Sequence, residues 1–260
     1  MDIFQTFVLA VVQSITEFLP VSSSAHLILV PYFTGWKDQG VAVDIGMHVG
    51  TLFAVVVYFW PSFWKILTTF YKKGAARHLF LCLVIGTIPA LIVGFLLDKW
   101  VETTLRSPFI IAFTLIFYGI VLYAADKKGK NKKNIDSMTF RDAIYIGCAQ
   151  CLALIPGTSR SGITMTAARM RGVKRTDAAQ FSMMLSVPVI AAAAVWHIGG
   201  LWIQHDLSVL NETFWMGILF AFMGGLAAVW FLMKWLKRQS FFIFAAYRVL
   251  LGLYLLWILA

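Results

Sequence analysis

The fold is decided by residues 11–29, VVQSITEFLPVSSSAHLIL, an apolar run that is broken by Pro20 and carries several polar side chains. Glu17 precedes the proline, and three serines and His26 follow it. An ionisable group at bilayer depth costs about 2.5–3.5 kcal/mol even on the most permissive insertion scale, so it marks a functional site by default. Because this stretch holds a carboxylate and an imidazole, it is the first candidate for a site within a membrane.

A second stretch, residues 146–164, IGCAQCLALIPGTSRSGIT, repeats the pattern of a glutamine, an apolar turn, a proline and a hydroxyl-rich loop. When the two prolines are aligned, Ser159 corresponds to Ser23, and Arg160 takes the place of a serine. The first copy therefore contributes an acidic group and the second a basic group.

The composition places the whole chain in a membrane. Apolar residues make up 60% and charged residues 13% of the 260 residues, and the mean hydropathy is +0.79, which excludes an ordinary soluble domain. Apolar runs of roughly 20 residues are long enough to cross a bilayer as helices. We therefore predict an all-α integral membrane protein with no organic cofactor.

The apolar runs are arranged as two repeats within a single membrane domain. Repeat one, residues 1–126, has a broken or re-entrant hairpin at about 3–33, and repeat two, residues 139–260, has one at about 143–170. Each hairpin is followed by three predicted spans, at about 41–60, 79–97 and 108–125 in the first repeat and 180–200, 214–233 and 241–259 in the second. An odd number of crossings per repeat predicts an inverted-topology repeat.

The basic residues agree with that topology. Seventeen of the 22 lysines and arginines fall in the four loops at 65–77, 127–141, 169–175 and 234–238, which share one side in this arrangement. The positive-inside rule makes that side cytoplasmic and predicts both termini outside. Because the cations are dispersed in short loops, we expect no nucleic-acid partner. The lysine run 127–133 is interpreted as a solvated linker that touches anionic lipid headgroups rather than as a docking site.

The two proline-containing turns are predicted to form an anion site at mid-membrane. Serines after Pro20 and Pro156 are good N-caps, so the positive ends of both returning helices would point to the centre. Arg160 adds a planar fork that suits bidentate phosphate contacts. Hydroxyl groups that could complete the cradle are those of Ser159, Ser161 and Thr164.

Titratable and hydroxyl side chains face this anion site in the prediction. Glu17 and His26, with Ser22 and Ser23 between them, are the groups needed to activate a nucleophile or a water. A structural alternative is that Glu17 is simply the buried ion-pair partner of Arg160. Three further polar residues are interpreted as structural: Ser24, His48 and Arg248.

Long motifs in matching order now identify a resemblance. Gln13-x-x-x-Glu17-FLPVSSSA-His26, residues 156–162 (PGTSRSG) and residues 44–60 (DIGMHVGTLFAVVVYFW) resemble the undecaprenyl pyrophosphate phosphatase family, also called bacitracin-resistance proteins. The resemblance covers essentially the whole chain. It implies an enzyme of the bacterial inner membrane that removes the terminal phosphate from a C55 isoprenoid pyrophosphate and regenerates the lipid carrier for peptidoglycan.

The resemblance also assigns roles residue by residue. The family's (Glu/Gln)-x-x-x-Glu motif falls on Gln13 and Glu17, and its serine and histidine fall on Ser23 and His26. Its pyrophosphate-binding motif falls on Ser159, Arg160, Ser161 and Thr164. Gln13 departs from members that carry a second glutamate, so Glu17 is left as the single carboxylate ligand for any Mg²⁺ or Ca²⁺ ion that bridges the pyrophosphate.

Two questions stay open at this point. A transporter or flippase of a phosphorylated polyprenyl lipid is the alternative function, because inverted repeats with broken helices are typical of transporters. The expected partners are the polyprenyl pyrophosphate and membrane lipids, and a homodimer is an assembly that the sequence neither requires nor excludes.

Overall fold

The computed structural model describes residues 2–105, 107–203 and 210–259, with the backbone alone at 98–104, and no β-strand occurs in them. Two short 3₁₀ turns, Ile135–Ser137 and Cys151–Leu154, accompany the α-helices. The helices are α1 (Ile3–Phe18), α2 (Ser23–Thr34), α3 (Val41–Tyr58), α4 (Trp60–Thr69), α5 (Ala75–Thr104), α6 (Pro108–Lys128), α7 (Phe140–Gln150), α8 (Arg160–Met170), α9 (Arg175–Ile203), α10 (Glu212–Trp235) and α11 (Phe242–Leu259).

Six of these helices, α3, α5, α6, α9, α10 and α11, are long and apolar enough to cross a membrane. They coincide with the six predicted spans, so the prediction of an all-α integral membrane protein is confirmed. The remaining pairs, α1 with α2 and α7 with α8, are the predicted hairpins. The limits of the two repeats and their inverted relation stay predictions.

Helix α4 was not predicted, because its residues were assigned to the end of a span and to a loop. The backbone leaves helical geometry at Phe59 (φ −97°, ψ 21°), and Pro61 then stands in the first turn of α4. Trp60 and Trp64 stack with ring centroids 5.7 Å apart. Exposed tryptophans on a short apolar helix are typical of the membrane interface.

Local sequence signals explain where each hairpin begins and breaks. Asp2 and Gln5 form a capping box at the start of α1, and Thr139 and Asp142 form another at the start of α7. Leu19 is extended (φ −65°, ψ 139°) because a residue that precedes proline is disfavoured in helical geometry. Helix α1 therefore stops before it could span a bilayer.

The hairpins pack across the two halves of the chain. Helix α1 lies against α10 and α7 against α5, while α3 packs on α10 and α6 on α11. The α3–α10 contact is tight at Gly50, where an added Cβ would lie 2.3 Å from the carbonyl oxygen of Ile218. Small residues permit such close helix approach in membranes. The exchange of hairpins between halves brings both proline turns to the middle of the bundle.

The cationic loops meet at one end of the bundle. Asp126 accepts hydrogen bonds from Arg169 and Arg175, and also from the backbone N–H of Phe241. The inter-half segment additionally accepts a hydrogen bond from the α5 residue His78 at the Met138 carbonyl. This is the clustering that the basic-residue pattern predicts, although the membrane face of this end is not fixed by it.

A second carboxylate organises the same end. Asp142 accepts hydrogen bonds from Lys133 and Arg171, each at 2.7 Å. Burial by itself raises the pKa of the Asp142 carboxyl, but the hydrogen bonds from Lys133, Thr139 and Arg171 outweigh it and hold that pKa well below its usual range. The carboxylate is therefore charged at neutral pH, when both cations are bound to it.

Candidate active site

The two proline turns touch each other at the centre of the bundle. The Ser161 hydroxyl, at the start of α8, donates to the carbonyl of Leu19 at the end of α1 over 3.2 Å. Arg160 donates to Glu17 over 2.5 Å, so an ion pair joins residues 143 positions apart. The predicted meeting of the acidic and the basic hairpin is thus observed.

The N-cap residues of α2 and α8 show which positions of the two turns correspond. This correspondence differs by one residue from the one obtained by aligning Pro20 with Pro156. Ser22 caps α2 with φ +80° and accepts from Ala25 N–H, and Ser159 caps α8 with φ +70° and accepts from Gly162 N–H. Ser22 therefore corresponds to Ser159, and Ser23 corresponds to Arg160. The shift arises because the second turn has one more residue between the proline and the cap than the first.

Glu17 is the centre of the polar cluster. Its Oε2 accepts hydrogen bonds from the Ser23 hydroxyl at 2.7 Å and from the Gln13 amide at 3.2 Å, and its Oε1 accepts from Arg160. Only 5% of the Glu17 side chain is exposed. Because the buried carboxylate of Glu17 already accepts a hydrogen bond from the Ser23 hydroxyl, it is placed to act as a general base toward that hydroxyl.

The Arg160 side chain is held by hydrogen bonds to α1 and α9. While one nitrogen binds Glu17, the other donates to the Ser182 carbonyl of α9 at 3.0 Å. The Thr164 hydroxyl lies 2.6 Å from the Ser182 hydroxyl and also donates to the Arg160 carbonyl. Thr164 therefore fixes the position of the arginine indirectly.

A cavity of about 250 Å³ opens onto this cluster. Its polar lining consists of Glu17, Ser22, Ser23, Ser24, His48, Ser159 and Arg160. The first turns of α2 and α8 both border it, and first-turn N–H groups have no acceptor inside their own helix. Together with Arg160, these helix ends make the cavity a site for an anion.

Several predicted site residues lie behind the cavity rather than on it. Gln13 and Thr164 are completely buried and Ser161 is 1% exposed, and none of the three lines the cavity. Ser161 and Thr164 are thus tied to protein atoms, contrary to the expectation that their hydroxyls complete the cradle. Ser161 and Thr164 are three residues apart in α8 and therefore lie on one face of the helix, where their hydroxyls contact Leu19 and Ser182.

The sequence predicted that His26 lies beside Glu17, but both ring nitrogens of His26 contact other groups. Its Nδ1 lies 2.7 Å from the Ser22 carbonyl, and its Nε2 lies 2.7 Å from the Tyr247 hydroxyl of α11. The imidazole that does approach Glu17 is that of His48, whose Nε2 is 3.4 Å from Oε2. The catalytic role of His26 stays a prediction, and His48, interpreted as structural from the sequence, makes an interhelical contact with the carboxylate of the site.

The hydrogen-bond pattern of His48 defines its orientation. Nδ1 lies 2.7 Å from the Asp44 carbonyl, which only accepts, so Nδ1 carries a proton. Nε2 then faces the carboxylate of Glu17. The contact is attractive when Nε2 is also a donor.

His48→Leu is expected to lower phosphate release about tenfold or more, because it removes the donor that orients Glu17. His48→Gln keeps an N–H donor of similar reach and should retain most of the activity. Phosphate-release rates of the two purified variants test the idea. Equal losses in both would show that this side chain does not act through a hydrogen bond to Glu17.

Arg248 ties the two proline turns together from behind. Its guanidinium donates to the carbonyls of Gly157 and Thr158 at 2.9 and 2.8 Å and to that of Pro20 at 3.4 Å. The side chain is completely buried, and no carboxylate pairs with it within the described part of the chain. It therefore holds carbonyl oxygens of both turns by hydrogen bonds, as the structural interpretation of this residue allowed.

The cavity wall offers a divalent cation one carboxylate, that of Glu17. Gln13 Oε1 is buried and has no hydrogen-bond partner, and it belongs to the side chain that contacts Glu17. Mg²⁺ commonly binds one or two carboxylates together with substrate phosphates. Within the described residues, no group of three His, Cys, Asp or Glu side chains could hold a metal without such help.

Fold and site together define a class: a multi-pass membrane protein whose two broken hairpins enclose an anion site with acid/base groups. Comparison with known proteins is in agreement. The family described as "Bacitracin resistance protein BacA" matches residues 6–254, so the chain belongs to this family.

The relatives cover nearly the whole chain. An undecaprenyl-diphosphatase of Desulforudis audaxviator is 47% identical over 256 residues, 97% of this chain and 96% of the relative. Proteins of the same name from Moorella thermoacetica and Alteromonas mediterranea are 42% and 41% identical, over 97% and 99% of this chain and 96% and 98% of theirs.

Proposed function

We propose that this protein is a membrane phosphatase that hydrolyses undecaprenyl pyrophosphate to undecaprenyl phosphate and inorganic phosphate. The observation that carries the proposal is the contact of Ser23 and Arg160 with one carboxylate, Glu17, on the wall of an anion-binding cavity. A hydroxyl, a base and a phosphate-binding fork are the parts that phosphoryl transfer needs. The names of the relatives supply the substrate, and recycling of this carrier accounts for bacitracin resistance in the family name.

The groups have separable roles in the proposed reaction. Arg160 and the N-terminal turns of α2 and α8 hold the pyrophosphate. Ser23 either attacks the terminal phosphorus itself or orients the attacking water, and Glu17 takes the proton of that nucleophile. The new O–P bond forms as the bridging P–O bond breaks, and the electron pair leaves on the lipid monophosphate. If a phosphoserine forms, water cleaves it and releases inorganic phosphate.

A divalent cation is proposed to accompany the substrate. Glu17 is the carboxylate on the cavity wall that would hold Mg²⁺ or Ca²⁺ together with phosphate oxygens of the substrate. When bound, such an ion neutralises pyrophosphate charge.

An apolar cavity next to the anion site supports a lipid substrate. It measures about 380 Å³, lies between α5 and α9, and shares Val189 and Ala193 with the polar cavity. Its remaining lining is almost wholly apolar apart from His197. A pyrophosphate at Arg160 could therefore extend its hydrocarbon chain along α9.

Ala193→Trp should block the junction of the two cavities, because the indole would occupy the space that the hydrocarbon chain needs. Turnover of a C55 pyrophosphate should then fall about tenfold or more. A short prenyl pyrophosphate should be affected less. Ala227→Trp, on an exposed face of α10, is the matched control. Similar losses for long and short substrates would remove the apolar cavity from the proposal.

The proposal is tested by phosphate release from undecaprenyl pyrophosphate by the purified protein in detergent. No second compartment exists there, so a transporter or flippase would give no signal. Release that depends on Ser23 and Glu17 supports the phosphatase, whereas a folded protein without release would favour the transport function.

We further propose that the cationic end faces the cytoplasm and that both termini lie outside in the bacterial inner membrane. A reporter fused after Ala260 should then behave as external, and one inserted near Lys130 as cytoplasmic. Opposite results at both sites would invert the orientation, and a same-side result would remove the odd number of crossings per repeat.

A further inference from the structure

The segment between the two halves is a folded part of the cationic end. The backbone N–H groups of Lys132 and Lys133 donate to the Gly172 carbonyl at 2.9 and 3.0 Å, and Lys174 N–H donates to the Lys133 carbonyl at 2.9 Å. The fully buried Arg169 donates to the Asn131 side chain. The segment predicted to be a solvated linker is thus hydrogen-bonded through its backbone to the α8–α9 turn, while its lysine side chains at 127, 128, 130 and 132 are exposed.

This framework encloses a basic cavity of about 490 Å³. The cations on its wall are Lys128, Lys130, Lys132, Lys133, Arg169 and Arg171. The last three share two carboxylates: Lys133 and Arg171 bind Asp142, and Arg169 binds Asp126 together with Arg175. The first three are exposed and have no carboxylate partner within the described residues. The cavity therefore carries a net positive charge on a frame of backbone hydrogen bonds, which suits a phosphate group.

The surroundings of the cavity favour a lipid phosphate over a soluble one. Ala124 and Met170 line it, and both are exposed. Below Ala124, Phe113, Phe117 and Ile120 follow one another on one face of α6 and are 62%, 49% and 54% exposed. Since α6 is one of the six candidate spans, this stripe faces lipid. An acyl chain on the stripe would have its headgroup phosphate at the lysines.

We propose that this cavity binds the phosphate headgroup of an anionic phospholipid, with an acyl chain along the exposed face of α6. The proposal is independent of the phosphatase function, because the cavity shares no lining residue with the site at Glu17. Lys128, Lys130 and Lys132 provide the charge. Lys133 and Arg171 shape the site through Asp142.

The test is native mass spectrometry of the purified full-length protein with phosphatidylglycerol, phosphatidylcholine or inorganic phosphate added. The cavity variant is Lys128→Gln with Lys130→Gln and Lys132→Gln. The control removes three charges from the exposed α4–α5 turn at the same end: Lys72→Gln, Lys73→Gln and Arg77→Gln. We expect the cavity variant to bind the first phosphatidylglycerol about tenfold more weakly than the parent and the control to bind it normally. Elution from a sizing column in detergent checks that both variants are folded.

Each other result overturns the proposal. Equal weakening in both variants would mean that only the overall charge matters, and no weakening would mean that the cavity is not the site. Displacement of the lipid by millimolar inorganic phosphate would assign the cavity to a soluble anion. The variant Lys128→Arg with Lys130→Arg and Lys132→Arg should bind like the parent, and weak binding by it would exclude charge as the basis.

Discussion

Glu17→Gln is expected to lower phosphate release at least about 100-fold, the loss typical of a missing general acid or base. The amide keeps the size of the side chain, but its single oxygen can accept from only one of Ser23 and Arg160, and it cannot take a proton. It also removes the one carboxylate on the wall of the anion cavity. The measurement is phosphate release by the purified variant and the parent over a range of Mg²⁺ and Ca²⁺ concentrations.

Gln13→Glu is the matched control, because it exchanges the same two residue types one helical turn earlier. The family pattern admits either residue there, so activity should persist, and a second carboxylate should strengthen any metal dependence. If Glu17→Gln kept most of the activity with an unchanged metal response, Glu17 would only be a structural partner of Arg160.

Arg160→Lys is expected to reduce phosphate release by a similar factor, about 100-fold, although the positive charge is retained. The guanidinium spans from the Ser182 carbonyl to Glu17, and a lysine ammonium cannot make both contacts and a bidentate phosphate contact. Loss of one electrostatic group of this kind typically lowers turnover 100-fold or more. Rates and the Michaelis constant for the pyrophosphate substrate are the quantities to measure.

Arg141→Lys makes the same chemical change at an exposed position in the first turn of α7, and it should leave activity unaltered. Elution from a sizing column in detergent shows whether each variant is folded. Near-normal turnover by a folded Arg160→Lys protein would assign this arginine to packing between the hairpins.

The sequence was sufficient for the architecture because strong signals act over short distances. Apolar runs of bilayer length predicted the six spans. Proline predicted where the first hairpin breaks, since Pro20 forces Leu19 out of helical geometry. The N-cap serines followed from the same local rule. Helix α4 was not predicted as a separate helix, because its apolar residues continue those of α3. Only the backbone break at Phe59 separates the two helices.

The composition of the site was less predictable, because it depends on contacts between distant helices. His48 is an ionisable group within a span, which marks it as a candidate, but no local pattern shows that packing places its Nε2 3.4 Å from Glu17. Arg248 resembles a cation that snorkels to the interface, but it lies between the two turns. The orientation of Ser161 and Thr164 is a consequence of the shifted N-cap, which depends on one extra residue after Pro156.

The central claim is that Glu17 and Arg160, one from each hairpin, form a single phosphate-releasing site. A double-mutant cycle tests it most directly, with phosphate release measured for Glu17→Asp, Arg160→Lys and the double variant. These conservative changes keep both charges, so residual rates should be measurable. Residues that act as a unit are strongly non-additive, so the double variant should lose little more than the worse single variant. Losses that multiply would contradict a shared site.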